Sequence, residues 1–281
     1  MSSELQTSNK TEIKDNNDLN KEEGRYIYCI IGTDQEQKFA SSAIGGRGDK
    51  VYSISYRDIA VVISASPIMK YPISRENTMA HQKVLEELME DFTVLPVKFG
   101  TVAGGKDEVS ANERIMEEVL KDRYKELKGL LNKMDNKIEL GLKAIWTDMK
   151  IIFQEIVDEN REIRKLRQKL TSKSIIQPFG EKSTLGEMVM HALERKKSKE
   201  GRDILNVLKG NYVDKRINKV FGDKMITNLA FLVEKSKVEE FDRLADKLDA
   251  TYDGRIKFKY VGPLPPINFV ELVIVLEGGK E

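Results

Sequence analysis

The chain has 281 residues, of which 40% are hydrophobic and 33% are charged, a balance typical of a folded globular protein. Its 47 basic residues nearly cancel its 46 acidic residues, and a net charge of +1 gives no strong overall field to attract nucleic acid or an anionic membrane. The length exceeds that of most single domains, so we expect two. The only cysteine, Cys29, excludes an internal disulfide and indicates a core residue in a reducing compartment.

The first 24 residues are polar, with Leu5, Ile13 and Leu19 as their only sizeable aliphatic side chains. Such a segment buries too little apolar surface to offset the entropy of ordering, so we predict a disordered extension over residues 1–24. The sequence contains no apolar stretch typical of a signal peptide or a membrane span. We therefore expect a cytoplasmic protein with no membrane contact.

Residues 25–135 are predicted to form an N-terminal α+β domain. Apolar and β-branched runs predict strands at 26–31, 51–54, 59–63 and 93–99, with Arg57 and Asp58 in a turn. Apolar residues at helical spacing predict helices at 74–90 and 107–131. A flexible connection containing Gly45, Gly46 and Gly48 separates the first two strands.

Residues 136–281 are predicted to form a C-terminal α+β domain with a long helical insertion. Strands are expected at 137–146, 225–233 and 256–260, and a first long helix at 148–170. Pro178 and Gly180 are expected to break the chain. The pairs Thr184 with Glu187 and Ser236 with Glu239 resemble capping boxes that start two further helices.

The middle of this domain is also predicted to be interrupted, because the charged run 194–202 indicates a solvated stretch or a bend before another helix that ends near residue 221. The resulting β–α(α)–β–α–β order suggests a ferredoxin-like sheet with helices on one face. The last apolar segment, within 264–276, is either a final strand of this sheet or an edge that pairs with a partner.

Few residues are candidates for chemistry. His81 lies beside an apolar helical stripe and could be a general base or a metal ligand, but a packed helix-edge histidine is the favoured interpretation. His191 has no second ligand at metal spacing. Cys29 lies in an apolar strand, without the neighbouring base or cationic setting that a nucleophile requires.

Loops and charge clusters give weak signals. The glycines around Arg47 lack the spacing of a phosphate loop, and Gly104, Gly105 and Lys106 precede only one helix end. The remaining candidates are an acidic helix face, a basic cluster and an alternating strand: Glu86, Glu87, Glu90 and Asp91; Arg195, Lys196, Lys197, Lys199 and Arg202; and Lys257, Phe258, Lys259 and Tyr260. We interpret the first two as solvated faces, and the strand as having aromatics inward and lysines outward. We therefore predict no catalytic, cofactor-binding or metal-binding residues.

Five sequence stretches together resemble the gas vesicle protein L/F family. They are YIYCIIG at 26–32, ENTMAHQKVL at 76–85, TVLPVKFGT at 93–101, NLAFLV at 228–233 and GPLPPINFV at 262–270. The order of these blocks is more specific than any single block, and the resemblance runs from about residue 25 to the end. We interpret His81, residues 93–101 and Asn228 mainly as structural, with Asn228 bonding backbone groups at a bend.

The resemblance implies two α+β domains, no known reaction and a role as an accessory factor in gas vesicle assembly. The implied partners are the hydrophobic major shell protein and other accessory gas vesicle proteins, with self-association also open, and the implied locations are the gas vesicle and the cytoplasm. Our hypothesis is that the chain covers apolar shell surface by strand addition or in a groove. Two alternatives remain. One is a nucleic-acid-binding protein that uses tandem ferredoxin-like sheets with Phe258 and Tyr260 exposed, and the other is an enzyme with a cleft between domains and polar groups converging on His81.

Overall fold

The computed structural model describes residues 23–172 and 179–276. These residues form two compact units. The first contains the residues up to Asp135 together with the segment that starts at Val270, and the second runs from Asn136 to Phe269. Each unit contains a sheet of antiparallel strands together with helices, which confirms the predicted α+β class. Residues 1–22 of the predicted disordered extension lie outside the described residues, and Gly24 already belongs to the first strand.

The first sheet has the strand order β2-β3-β4-β1-β5, and β6 also pairs with β1. Its strands are β1 (Gly24–Ile31), β2 (Lys38–Ser42), β3 (Lys50–Tyr56), β4 (Ile59–Ser66), β5 (Val94–Pro96) and β6 (Val102–Ala103). The turn predicted at Arg57 and Asp58 joins β3 to β4, with Arg57 at a φ of 55°. β5 is shorter than the predicted strand 93–99 and ends at Pro96, which has no N–H to continue a ladder.

The helices of the first unit are α1 (Arg75–Asp91), α2 (Ala111–Arg114), the π-helical segment Ile115–Lys121 and α3 (Tyr124–Met134). α1 starts as predicted, because the Ser74 side chain accepts a hydrogen bond from the Asn77 N–H. The predicted single helix 107–131 is wrong. It starts late because Asp107 and Glu108 have positive φ angles, and the chain leaves helical geometry again at Arg123.

Helices cover both faces of the first sheet. Tyr28 and Val62 belong to a core cluster with Val84 and Leu85 of α1. Val61 and Ile63 flank Val62 and are equally buried, and side chains alternate along a strand, so they face the opposite side. On that side the π-helical segment contacts β3 and β4, and α3 contacts β4 and β5. This double cover explains why β1 and β4 read as nearly continuous apolar runs.

The second sheet has the order β10-β7-β9-β8. Its strands are β7 (Lys137–Trp146), β8 (Asp214–Ile217), β9 (Met225–Glu234) and β10 (Ile256–Leu264), and its helices are α4 (Met149–Glu159), α5 (Arg161–Ser172), α6 (Phe179–Leu208) and α7 (Val238–Thr251). Three helices connect β7 to β8, and α7 connects β9 to β10. The predicted element order lacked β8, and the ferredoxin-like arrangement of this unit stays a prediction.

Several predicted helix boundaries in the second unit are wrong. Asn160 separates α4 from α5, and Gly180 lies within α6, whereas Pro178 falls outside the described residues. α6 continues through the charged run 194–202, because one face buries Ala192, Leu193 and Ile204 while most of the charges face outward.

The two predicted capping boxes are also wrong. Thr184 lies inside α6, where its hydroxyl donates to the Gly180 carbonyl. Ser236 lies in a 3₁₀ turn before α7, which starts without a side-chain cap. The helix expected to end near residue 221 instead ends at Leu208 and is followed by β8.

The last apolar segment does not complete the second sheet. Leu272 forms an isolated parallel bridge with Val97, just beyond β5, so residues 270–276 belong with the first unit. We call these residues the C-terminal segment. Among the described residues, no helix combines the length and apolar character needed to cross a membrane.

Candidate functional site

His81 lies in the core of the first unit, with 7% of its surface exposed. α1 points it at β1, where its Nδ1 atom is 2.9 Å from the Tyr26 hydroxyl. That hydroxyl also accepts a hydrogen bond from the Gly100 N–H at 3.1 Å. With the Gly100 N–H donating to its oxygen, the Tyr26 hydroxyl keeps a proton that it can donate to Nδ1 of a neutral His81.

Aromatic rings surround this histidine. The ring centroids of Tyr26, Tyr28 and Phe99 each lie 5.7 Å from that of His81, with Tyr28 stacked and the other two edge-on. Burial lowers the pKa of His81 to about 4. Burial also raises the pKa of Tyr26 far above its usual range. This cluster therefore holds neutral groups, and its bonds connect α1, β1 and the loop at Gly100.

The other residues that could have carried chemistry are not placed for it. Cys29 is fully buried, and burial strongly raises the pKa of its thiol. His191 lies exposed on α6. Within residues 23–172 and 179–276, no three His, Cys, Asp or Glu side chains come together as a metal site. The structure thus brings none of the histidine and cysteine candidates together.

The glycine and acidic candidates are also accounted for locally. The glycine run 45–48 lies in the turn between β2 and β3, where Arg47 pairs with Glu23 and Asp49. The helix start after Gly104 and Gly105 is occupied by its own capping box, in which the Glu113 carboxylate accepts from the Ser110 N–H. On the acidic face of α1, Glu87 bonds to the Ser41 hydroxyl and Glu86 accepts from Gln82.

The basic cluster on α6 forms part of an ion-pair network. Lys196 pairs with Glu155 at 2.9 Å and with Glu159 at 2.7 Å. Arg255 donates to Glu155 and, at 2.7 Å, to Glu200, which is 8% exposed. These hydrogen bonds lower the pKa of Glu155 to about 2.

The sequence analysis missed this network. Its members are distant in sequence, and the charges of residues 194–202 look like a purely solvated face. Trp146 completes the network, because its Nε1–H donates to Glu200 at 2.8 Å. The network therefore connects α4, α6 and the start of β10 to the end of β7.

Phe258 and Tyr260 do not form an exposed aromatic platform. The Tyr260 ring stacks on Phe241 of α7 with centroids 6.0 Å apart, and its hydroxyl donates to Asp242. The Phe258 ring lies 6.0 Å from that of Tyr252. Both aromatics face the helices, while Lys257 and Lys259 are exposed, as the alternation predicted.

Two motif positions have structural roles in the second unit. Asn228 Nδ2 donates to the Lys219 carbonyl at 3.1 Å, so the side chain bonds to a backbone group as predicted, but Asn228 lies within β9 and not at a bend. Asn268 bonds through both its N–H and its side-chain amide to Glu139, which is 3% exposed. Burial raises the pKa of Glu139. The sequence analysis did not identify Glu139, whose partner lies 129 residues away.

The C-terminal segment is the strongest candidate for contact with a partner. Its side chains alternate: Leu272 and Ile274 are buried, whereas Val273 and Val275 are 57% and 77% exposed. Val97 donates to the Tyr28 carbonyl of β1, so its bridge to Leu272 places the segment on the open side of β5. Aliphatic side chains therefore lie exposed at the edge of the first sheet.

Comparison with known proteins gives one consistent result. Residues 24–271 match the family described as "Gas vesicle synthesis protein GvpL/GvpF". The chain is 29% identical over 249 residues to gas vesicle protein F of Streptomyces sp. (strain CB03234), covering 88% of this chain and 99% of the relative. It is 24% identical over 264 residues to gas vesicle protein F1 of Halobacterium salinarum, with 92% and 99% covered.

The fold also matches a solved structure. The crystal structure of the gas vesicle protein GvpF from Anabaena sp. PCC7120 superposes with a TM-score of 0.76, at 24% identity, over 89% of this chain and 99% of that one. At this identity the likeness concerns the fold.

Proposed function

The chain belongs to the gas vesicle protein L/F family, and from this premise we propose that it is a non-enzymatic assembly factor that binds the hydrophobic major shell protein of the gas vesicle. Other accessory gas vesicle proteins are its further proposed partners. Its proposed locations are the cytoplasm, where it binds the shell protein, and the gas vesicle.

One observation carries the proposal: an aliphatic segment lies at the open edge of the first sheet. Val273 and Val275 are exposed there, and residues 270–276 hold a single acidic residue, Glu271. Aliphatic surface at an open sheet edge favours contact with strands of other chains, which a protein that only needed to stay soluble would avoid. An apolar shell protein presents the complementary surface.

The absence of catalysis is supported by what surrounds the most reactive side chains. His81 is enclosed by aromatic rings, and its Nδ1 atom is already hydrogen-bonded to the Tyr26 hydroxyl. Cys29 is buried in β1 as a neutral thiol. The nucleic-acid alternative lacks support, because Phe258 and Tyr260 pack against Tyr252 and Phe241 rather than facing outward.

Co-purification of the shell protein with the tagged chain tests the proposal. The matched variant ends at Phe269, because a truncation before Asn268 would also remove the hydrogen bonds to Glu139. A control carrying Ile151→Asp changes a comparably exposed aliphatic residue, 53% exposed, in the second unit. We expect the full chain and the control to capture the shell protein.

The two results have separate meanings. Failure of the full chain to capture the shell protein refutes the proposed function. A difference between the full chain and the chain ending at Phe269, in either direction, implicates the C-terminal segment. Equal capture removes the segment from the mechanism while leaving the function in place.

A further inference from the structure

The C-terminal segment has buried side chains, but its backbone pairs with the sheet less extensively than the other strands do. Val270, Leu272 and Ile274 are 6%, 3% and 8% exposed, so every second side chain of the segment is buried. We call the surface that they cover, beside Val97 and Arg123, the strand seat. The strand pairing that the structure shows for the segment is the single bridge between Val97 and Leu272.

The side chain of Arg123 also contacts the backbone of the C-terminal segment. Arg123 Nη1 donates to the Val273 carbonyl at 2.8 Å, while the same guanidinium pairs with Glu126. By comparison, β3 and β4 of this sheet are joined by an uninterrupted ladder of six registered pairs. An irregular strand is a poor template for adding another strand, because template strands need regularly spaced backbone groups.

From this geometry we propose that the C-terminal segment is a placeholder, and that an extended aliphatic strand of a partner protein displaces it from the strand seat. The segment covers the edge of β5 and the apolar surface beside it while no partner is present. A partner strand that extends the pairing from Val97 towards Val94 gains backbone hydrogen bonds beyond the single bridge that the segment makes, with Pro96 contributing only its carbonyl, and this gain drives the exchange.

The present occupant defines the chemistry of the partner. The seat accepts branched aliphatic side chains at every second position, in parallel register with Val97. It also presents the Arg123 guanidinium to a backbone carbonyl one residue beyond the bridge. The fitting partner is therefore an extended segment with at least three alternating Val, Leu or Ile residues and no charge at the buried positions.

This inference deepens the proposed function, since a hydrophobic shell protein is a source of such strands, but its test needs no shell protein. The probe is a fluorescent peptide with the sequence of residues 270–276 and a solubilising lysine tail. We expect it to bind the chain ending at Phe269 at least tenfold more tightly than the full chain, where the seat is filled. A peptide with aspartate at the positions of Leu272 and Ile274 should not bind.

A full-length variant with the opposite effect keeps the test independent of truncation. Adjacent strands lie about 4.8 Å apart, within the span of a disulfide, so Val97→Cys with Leu272→Cys can lock the segment in place. The natural Cys29 is buried and does not compete. We expect the oxidised variant to lose the remaining peptide binding and the reduced variant to recover it.

Each outcome decides the proposal. Peptide binding to the open chain and loss of binding on oxidation support displacement. If the peptide binds neither form while circular dichroism shows that the truncated chain is folded, the strand seat does not accept strands in trans and the proposal is overturned. Equal binding to the oxidised and reduced variants also overturns it, because binding then occurs elsewhere. Shell-protein capture by the full chain remains a separate result, so the proposed function can survive this failure.

Discussion

Protonation of His81 should destabilise the first unit as the pH falls. The histidine is 7% exposed, and burial lowers its pKa from about 6.5 to about 4. Its neutral form is hydrogen-bonded to the Tyr26 hydroxyl, which also accepts from the Gly100 N–H. In the unfolded chain the imidazole returns to its ordinary pKa. Between pH 6.5 and pH 4 the unfolded state therefore binds more protons than the folded state. The free energy of unfolding decreases as the pH is lowered through this range.

The magnitude follows from the size of the shift. Each unit of pKa difference corresponds to about 1.4 kcal/mol, so this group removes about 2 kcal/mol of stability by pH 5 and about 3 kcal/mol by pH 4. The contribution is fully present above pH 6.5 and is lost as the pH falls towards 4. Carboxylates also titrate in this range, so the wild-type curve alone does not isolate the histidine.

The isolating variant is His81→Asn. The asparagine Oδ1 atom takes the place of Nδ1 and can accept from Tyr26, but it does not titrate. The difference in unfolding free energy between wild type and variant should change by about 3 kcal/mol between pH 7.5 and pH 4. Above pH 7 this difference should be constant.

The sequence provides a separate probe for each unit. Cys29 is the only cysteine and lies in β1, and Trp146 is the only tryptophan and lies in β7. Urea unfolding followed by pulse labelling of Cys29 with dithiodipyridine, which reacts at acidic pH, reports on the first unit. Trp146 fluorescence reports on the second. If the unfolding free energy measured by Cys29 labelling depends on pH in the same way in wild type and His81→Asn, the assigned role of His81 is refuted.

Three further substitutions test the assigned contacts by urea unfolding. Tyr26→Phe leaves His81 Nδ1 and the Gly100 N–H without this partner and should lower the free energy of unfolding, measured by Cys29 labelling, by about 2–3 kcal/mol. Tyr124→Phe, which loses a surface hydrogen bond to Asp58, should cost much less. Equal effects of the two substitutions would contradict the buried network. Arg255→Met removes the guanidinium shared by Glu155 and the buried Glu200, leaving them only Lys196 and Trp146, and should cost about 2 kcal/mol by Trp146 fluorescence. The exposed Arg243→Met should cost at most about 0.5 kcal/mol. No change in stability for Arg255→Met would show the network to be dispensable. Gly262→Ala places a Cβ 2.6 Å from Leu140 Cδ2 at a φ of 142° and should cost more than about 2 kcal/mol. Gly129→Ala, in open space on α3, should stabilise the protein by about 0.5–1 kcal/mol. Changes of the same sign in the free energy of unfolding would count against the packing at Gly262.

The sequence predicts elements whose periodicity and burial agree. β1, β4, β7 and β9 are strongly apolar, and α1 has both a Ser74 cap and a regular apolar stripe. β8 was missed because Asp214, Lys215 and Arg216 carry no apolar alternation. The continuous α6 was missed because a run of charges is compatible with either a bend or a long exposed helix face.

Long-range pairings were the least predictable features. The alternation of Val270, Leu272 and Ile274 indicates an extended segment with one buried face, but it does not specify which sheet receives that face. The bond from Asn268 to Glu139 and the pairing of Arg255 with Glu155 join positions at least 100 residues apart. The structural roles of His81 and Asn228 followed more directly, because each lies within a motif whose local elements were correctly predicted.

The dependence of shell-protein aggregation on the amount of added chain tests the central claim most directly, because a binding protein and a catalyst differ in stoichiometry. Light scattering of purified major shell protein is followed after dilution from denaturant, with increasing amounts of the full chain present. Binding through packed surfaces predicts that scattering falls in proportion to added chain and reaches its minimum at a fixed molar ratio. Complete suppression by a hundredfold smaller amount of chain, or no suppression at any ratio, would contradict it.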